Sequence, residues 1–487
     1  MAKLLSQLKP QPLWDIFEDI CSVPHPSKHE EKLIAWLLEF AKKHGIECRR
    51  EKCGNVIMRK PATRGMERCR GIILQSHLDM VPQKNNDTKH DFAKDPIKPR
   101  IDGNFVKATG TTLGADNGIG VAASLAVMAA KDIAHGPLEC LLTVDEESGM
   151  TGAVNLQPES LSGSILINLD MEHHGELCIG CAGGMHADGR IRYELKSAGR
   201  GFKAYTVSVK GLKGGHSGVD IHLGRGNAIK ILSRVLRIAS AKFGLKLAHI
   251  SGGNLYNAIP REAFATVLVP ETKSNAFEKT VREFSATVLN ELKTVDPGVT
   301  VTAGSASRPK GVLSPAVQKR LLRLLHACHQ GVYRMCADIP NLVETSSNLA
   351  AVIMERGLIT IRTSQRSSVE SQKEDMAATV ASVLELAGAK VEFGSSYPGW
   401  KPDMESGILK IARTTYRQLF GSDPGVSAVH AGLECGLFKK VYPHWDMVSF
   451  GPTIQWPHSP DELVDIESVV LFWRFLKEIL RNAPAVK

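Results

Sequence analysis

The 487-residue chain is 43% hydrophobic and 23% charged, with a formal net charge of +9. That mix suits a globular protein of at least two domains and excludes a disordered or low-complexity chain. The charge is modest for this length and no basic block is interleaved with aromatics, so nucleic acid is not expected as a partner.

No run of about 18 apolar residues is present, so no membrane span is expected. The opening MAKLLSQLKPQPLWDIF lacks the pattern of a cleaved leader. Ten Cys scattered without a framework suit a reducing cytosol, and a cytoplasmic protein is expected. Cys178 and Cys181 form one CxxC; without a second pair they read as buried thiols rather than a zinc site.

In chain order, Ser27 and Glu30 read as a capping box ahead of the amphipathic helix HEEKLIAWLLEFAKKHG. Ile34, Leu37, Leu38 and Ala41 form its apolar face, and Gly45 ends it. Apolar runs at 71–75, 138–144 and 164–169 have strand character, with a helical stretch over 118–130 between the first two. Strands alternating with helices predict a layered α/β domain with a mainly parallel central sheet. The Gly-rich CAGGMHADG opens a second domain, in which strands such as AYTVSVKG alternate with helices until SSYPGWKPD (395–403) returns the chain. The last segment supplies a helix, the Gly-rich HAGLECG, a strand at 446–450 and a polar loop containing His458. The expected organisation is a discontinuous α/β domain, 1–185 and 398–487, with an inserted α+β domain at 186–397.

Chemistry-bearing residues cluster at predicted strand ends. In SHLDM, His77 and Asp79 are two apart in extended chain and share a side, so the carboxylate can orient the imidazole toward a metal. Asp116 lies in LGADNGIG, where it can bridge two cations or cap a helix. Glu146 and Glu147 follow the strand LECLLTV, as a ligand beside a base or as a solvated acidic turn. Asp170 ends SILINL, as a ligand or as a turn-initiating Asp. Singly these are ordinary; together they sit where open α/β sheets converge their loops. Carboxylates about 4 Å apart repel by roughly 4 kcal/mol per pair at an effective dielectric of about 20. If all converge, two divalent cations would offset most of that charge, and His with carboxylate ligands suits Zn, Mn or Co.

SHLDMVPQKN, TLGADNGIG, DEESGM, KGGHSG, NAIPREAF, HAGLECG and GPTIQWPHSPDE resemble the aminoacyl-histidine dipeptidases. These are a branch of the co-catalytic dizinc peptidases that include carnosinase and aminoacylase. The resemblance spans essentially the whole chain. It implies one metal ion held by His77 and Asp170, a second by Glu147 and His458, and Asp116 bridging. It also implies Glu146 as general base, Asp79 as the orienting acid, and the inserted domain as a lid and dimerisation domain. His216 in GGHSG resembles the oxyanion-stabilising lid His, which in dimeric relatives reaches the partner's site. Asn257 and Arg366 resemble the groups that hold a substrate's terminal carboxylate, while His430 and Glu434 would line the site. The implied activity is hydrolysis of unblocked dipeptides, with C-terminal His preferred and carnosine a further substrate, by a homodimer carrying two divalent ions per subunit, Zn first and Co or Mn as alternatives. A broader dipeptidase or tripeptidase, an aminoacylase-like amidohydrolase and a non-catalytic peptide-binding protein are the competing readings. His173, His174 and Trp456 are bulky or titratable groups near these motifs to which no role is assigned.

Overall fold

The computed structural model describes residues 3–486. The chain divides into two compact units, one formed by residues 1–180, 402–428 and 433–487, the other by residues 181–401 and 429–432.

The first unit is built on an eight-stranded sheet. Its centre is four parallel strands in the order Leu138–Thr143, Ile72–His77, Ile165–Asn168 and Asp446–Ser449. Antiparallel strands flank them, with Val56–Lys60 beside Leu138–Thr143 and Glu176–Cys181 beside Asp446–Ser449. Every residue of Leu138–Thr143 and Ile72–His77 is buried, as expected of central strands covered on both faces. The Ala115–Ala129 helix, buried along almost its whole length, packs against Ile72–His77 and the Gln11–Cys21 helix. Parallel strands place their carboxyl ends on one edge, so the segments after His77, Thr143, Asn168 and Ser449 all emerge there.

The Glu31–His44 helix ends at Gly45 in the left-handed region (φ 65°), as its sequence predicts. The capping box does not form. The N-cap is Glu30, without a side-chain cap. The Ser27 hydroxyl instead donates to Asp79 Oδ2 at 2.7 Å, and Glu30 Oε1 accepts the Lys28 and Asp145 N–H groups at 2.9 and 3.0 Å. Tertiary partners outcompete the local motif for both side chains.

The second unit is α+β. It contains a nine-stranded sheet, antiparallel in its pairings, among them Phe202–Lys210 with Ala263–Pro270 and Val343–Glu355 with Leu358–Ser367. The helices Ala228–Phe243, Ser274–Leu292 and Glu370–Leu386 pack on this sheet around one continuous apolar core. Among the described residues no helix is long and apolar enough to cross a membrane.

Candidate active site

The carboxyl edge of the first unit's sheet gathers the predicted ligands. His77 is 2% exposed. Its Nδ1 lies 3.0 Å from the Asp79 carbonyl, which can only accept, so Nδ1 carries a proton and Nε2 is the nitrogen left to ligate a metal. Nε2 faces Asp116 Oδ1 at 3.1 Å and Asp170 Oδ1 at 3.3 Å. The other Asp116 oxygen, Oδ2, lies 3.3 Å from His458 Nε2, which is 2.9 Å from Glu147 Oε1. Two three-residue groups therefore share Asp116: His77, Asp116 and Asp170, and Asp116, Glu147 and His458, the donor atoms of each lying within 4.8 Å of one another. Glu146 joins His77 and Glu147 in a third such group.

Asp79 differs from its expected place. Its carboxylate lies 3.5 Å from His77 Nδ1, farther than its own carbonyl. The carboxylate accepts the Glu146 and Glu147 N–H groups at 2.9 and 3.2 Å and the Ser27 hydroxyl. It thus orients the glutamate pair as much as the imidazole. Burial works to raise the Asp79 pKa, but His77, the Glu146 N–H and the Ser27 hydroxyl outweigh it and hold the acid at about 2.

Burial works to raise Asp116 as well, but His458 and His77 hold it below the usual carboxylate range, whereas the other acids are poorly compensated. Burial, then mutual repulsion with the neighbouring carboxylates, pushes the Glu146 pKa well above the usual carboxylate range. Burial also raises Glu147 and Asp170, each with Asp116 adding to it. His77, despite the opposing effect of burial, is raised by Asp170, Asp116 and Asp79. This is the charge imbalance expected where acids converge without their cations, and the nitrogen and oxygen donors fit Zn, Co or Mn.

Glu434 lies in the same unit, 3% exposed. Its Oε2 accepts from Gln75 Nε2 at 2.7 Å and Thr143 Oγ1 at 2.8 Å, while Oε1 has no hydrogen-bond partner among the described residues. Burial is the main cause raising its pKa to about 8, with Asp170 adding to it. Gln75 and Thr143, and Asn168, which donates to Gln75 Oε1 at 2.5 Å, lie on the three strands that lead to the ligands. No sequence signal marked them.

In the metal-free protein the Glu434 shift has a definite sign. The folded state holds this proton up to about pH 8, the unfolded state only to about 4.5, so the group costs stability as pH rises through that window. Glu434→Gln is expected to gain stability relative to wild type from pH 4.5 to 8 in metal-free samples. A gap in melting temperature that stays constant over that range would contradict the shift.

The other four predicted residues lie in the second unit. His216 Nδ1 accepts the Gly218 and Val219 N–H groups at 3.2 and 3.0 Å. Burial, then Arg366, lowers the His216 pKa, so the ring is neutral at neutral pH and its proton must be on Nε2. A Cβ at Gly218 would lie 2.2 Å from the His430 carbonyl oxygen, so only glycine lets these two loops meet. His430 is buried, with Nε2 2.7 Å from Ser346 Oγ; burial, then Arg366, pushes its pKa down to about 3. Arg366 is 7% exposed, donates to the Tyr397 hydroxyl at 2.8 Å, and has no carboxylate partner among the described residues. An unpaired buried guanidinium suits an anion. The Asn257 carbonyl accepts the Ser217 N–H at 2.8 Å, and Asn348, missed in the sequence, donates to the Tyr256 and Ala258 carbonyls on either side. His216 and Asn257 line one cavity of about 740 Å³.

Comparison with known proteins decides the family. The profile of Peptidase family M20/M25/M40 matches residues 73–482. The chain belongs to that family. It is therefore a peptidase-family hydrolase. It is 48% identical over 481 residues to the cytosol non-specific dipeptidase of Escherichia coli K12, covering 99% of each chain. The aminoacylhistidine dipeptidase structure from Vibrio alginolyticus superposes with a TM-score of 0.94 at 46% identity over 99% of both chains. Aminopeptidase PepT from Bacillus cereus, at 17% identity, 98% and 99% coverage and a TM-score of 0.56, shares the fold.

His174 packs against Tyr416 and Phe420, with ring centroids 6.0 and 5.9 Å away. Trp456 is exposed.

Proposed function

We propose that the chain hydrolyses the peptide bond of unblocked dipeptides, Xaa-His dipeptides among them, at a centre that holds two divalent metal ions. The observation that carries this reading is the pair of three-ligand groups sharing Asp116, with Glu146 beside both. His77 and Asp170 would hold one ion, Glu147 and His458 the other, and Asp116 would give one oxygen to each. Bound ions supply Lewis-acid activation of the scissile carbonyl and of water.

The chain's own residues do the rest. Glu146 takes a proton from the attacking water at its carboxylate and returns it to the departing amine nitrogen. Asp79 holds the Glu146 and Glu147 backbone in place. His216 donates from Nε2 to the oxygen that develops charge. Arg366 and Asn257 receive the substrate carboxylate, and the buried Glu434 carboxyl and His430 serve substrate binding. The second unit acts as lid and as the surface of a homodimer.

The relative named as non-specific favours a broad dipeptide range, and the relative named for aminoacylhistidine favours acceptance of C-terminal His. The first relative is also named as cytosolic, which supports a cytoplasmic enzyme here. Assay of Xaa-His, carnosine, other dipeptides, tripeptides and N-acyl amino acids side by side tests the reading. Metal-dependent cleavage of dipeptides including Xaa-His is expected. Faster turnover of N-acyl amino acids or tripeptides would replace it with an aminoacylase or tripeptidase.

A further inference from the structure

His458 is poorly placed to hold itself. Its side chain is 50% exposed and its backbone is in the left-handed region (φ 60°), which non-glycine residues rarely adopt. It sits in the loop of a hairpin, Ile454–Gln455 with Leu463–Asp465, whose second strand pairs with Phe105–Ala108. The residue that closes this loop is Glu462.

Glu462 is 2% exposed and has no cationic partner among the described residues. Four consecutive main-chain N–H groups bind it, in part offsetting the burial that, with Asp116 adding to it, raises its pKa to about 7: Leu113 and Gly114 donate to Oε2 at 2.7 and 3.0 Å, Ala115 and Asp116 to Oε1 at 2.8 and 3.3 Å. Gly114, at φ 72°, turns these groups to one side, ahead of the kink at Asp116 and Asn117 after which regular helix runs to Ala129. A carboxylate against such a nest of N–H groups is favourable as charge-assisted hydrogen bonding. At the other end the loop is stiffened, since the Glu462 N–H donates to the Ser459 carbonyl at 3.0 Å and the Asp461 N–H to Ser459 Oγ at 3.1 Å. One carboxylate thus ties the loop of His458 to the backbone of Asp116, whose Oδ2 lies 3.3 Å from His458 Nε2.

We propose that Glu462 is a positioning residue for the metal centre, one that sets the separation of His458 from Asp116 and so completes the ligand group Asp116, Glu147 and His458. The proposal rests on the two-ion reading above. Glu462 need not touch metal or substrate to act. It removes the freedom of an exposed histidine that packing leaves unrestrained, and groups that orient metal ligands typically change affinity by about 10–100-fold.

The test is a Co²⁺ titration of metal-free full-length protein, followed by calorimetry and visible absorption. Wild type is expected to bind two equivalents. Glu462→Gln places an amide donor against the N–H groups, and is expected to weaken one equivalent about 10–100-fold while the other is unchanged. Glu462→Asp, which keeps both acceptor oxygens, is expected to fall between Gln and wild type and covers the case in which the Gln variant folds poorly. In a His458→Ala background Glu462→Gln is expected to cost less than about 2-fold further, because both changes remove the same ligand placement. Equal weakening of both equivalents, no weakening of either, or multiplicative effects in the double variant would overturn the assignment. A wild-type protein that binds fewer than two equivalents would instead overturn the two-ion reading on which it rests.

Discussion

Replacing Glu146 with Ala is expected to lower kcat by about 10²–10⁴-fold while both metal ions remain bound. The ligand groups that share Asp116 do not include Glu146, so its removal takes no donor from either. What it removes is a buried carboxyl beside those groups. Burial first, and then Asp170, Glu434 and Glu147, raise its pKa above the usual range, while His77 opposes them. Two cations would offset the repulsive part of that environment, and the carboxyl stands where a group that takes a proton and returns it within one turnover must. Its placement is fixed from the backbone, since Asp79 Oδ1 accepts the Glu146 N–H at 2.9 Å. Metal content measured alongside saturating kinetics separates the chemical role from a ligand role. A metal-loaded variant with near-normal kcat would remove Glu146 from the reaction, and a variant that loses metal would make it a ligand.

The legible part of this protein is the part governed by strand periodicity. Ile72–His77, Leu138–Thr143 and Ile165–Asn168 are short apolar runs because both faces of their sheet are covered; His77 ends the first, Glu146 and Glu147 follow the second and Asp170 follows the third, where the carboxyl ends open to a crevice. His77, Asp116, Glu147 and Asp170 could therefore be nominated together from spacing and charge. His458 could not. It lies in the loop of a hairpin outside the central parallel sheet, and only resemblance to a family brought it into the set.

The groups that hold these ligands left no signal at all. Ser27 and Glu30 have the spacing of a capping box, yet bond to Asp79 and to the Asp145 N–H, across 52 and 115 residues of chain. Glu462 is bound to the backbone of residues 113–116, which any residue type presents equally. Partners of this kind are invisible to pattern because one side of each bond carries no side-chain identity. The same holds for the second unit, where Asn348 grips the Tyr256 and Ala258 carbonyls that flank Asn257. HAGLECG illustrates a different limit: His430 belongs to the second unit and Glu434 to the first, so one short motif serves two environments. Both residues are buried polar groups, with pKa values pushed in opposite senses because burial disfavours the charged form of each.

His216→Ala is expected to reduce kcat by about 10²–10³-fold with a much smaller change in KM. Nδ1 is engaged as an acceptor by two main-chain N–H groups, Gly218 and Val219, which forbids a proton there. Burial, and next the Arg366 guanidinium, lower the ring's pKa, so it is neutral from about its ordinary value of 6.5 upward. A neutral imidazole with Nδ1 unprotonated carries its one proton on Nε2, and that atom is a fixed donor over the whole neutral range. A donor aimed by the backbone costs no reorganisation when negative charge develops on a carbonyl oxygen, and it gains most in the transition state, which is why the loss should fall on kcat. The Asp220 carboxylate, accepting the His216 N–H at 2.9 Å, fixes the loop without touching the ring's proton. The pH dependence follows from the same sign: the donor is present on both sides of neutrality, so the residual activity of the Ala variant should keep the wild-type profile above pH 7. Unchanged kcat would return His216 to the role of a turn residue, and a defect confined to KM would make it a substrate-binding group instead.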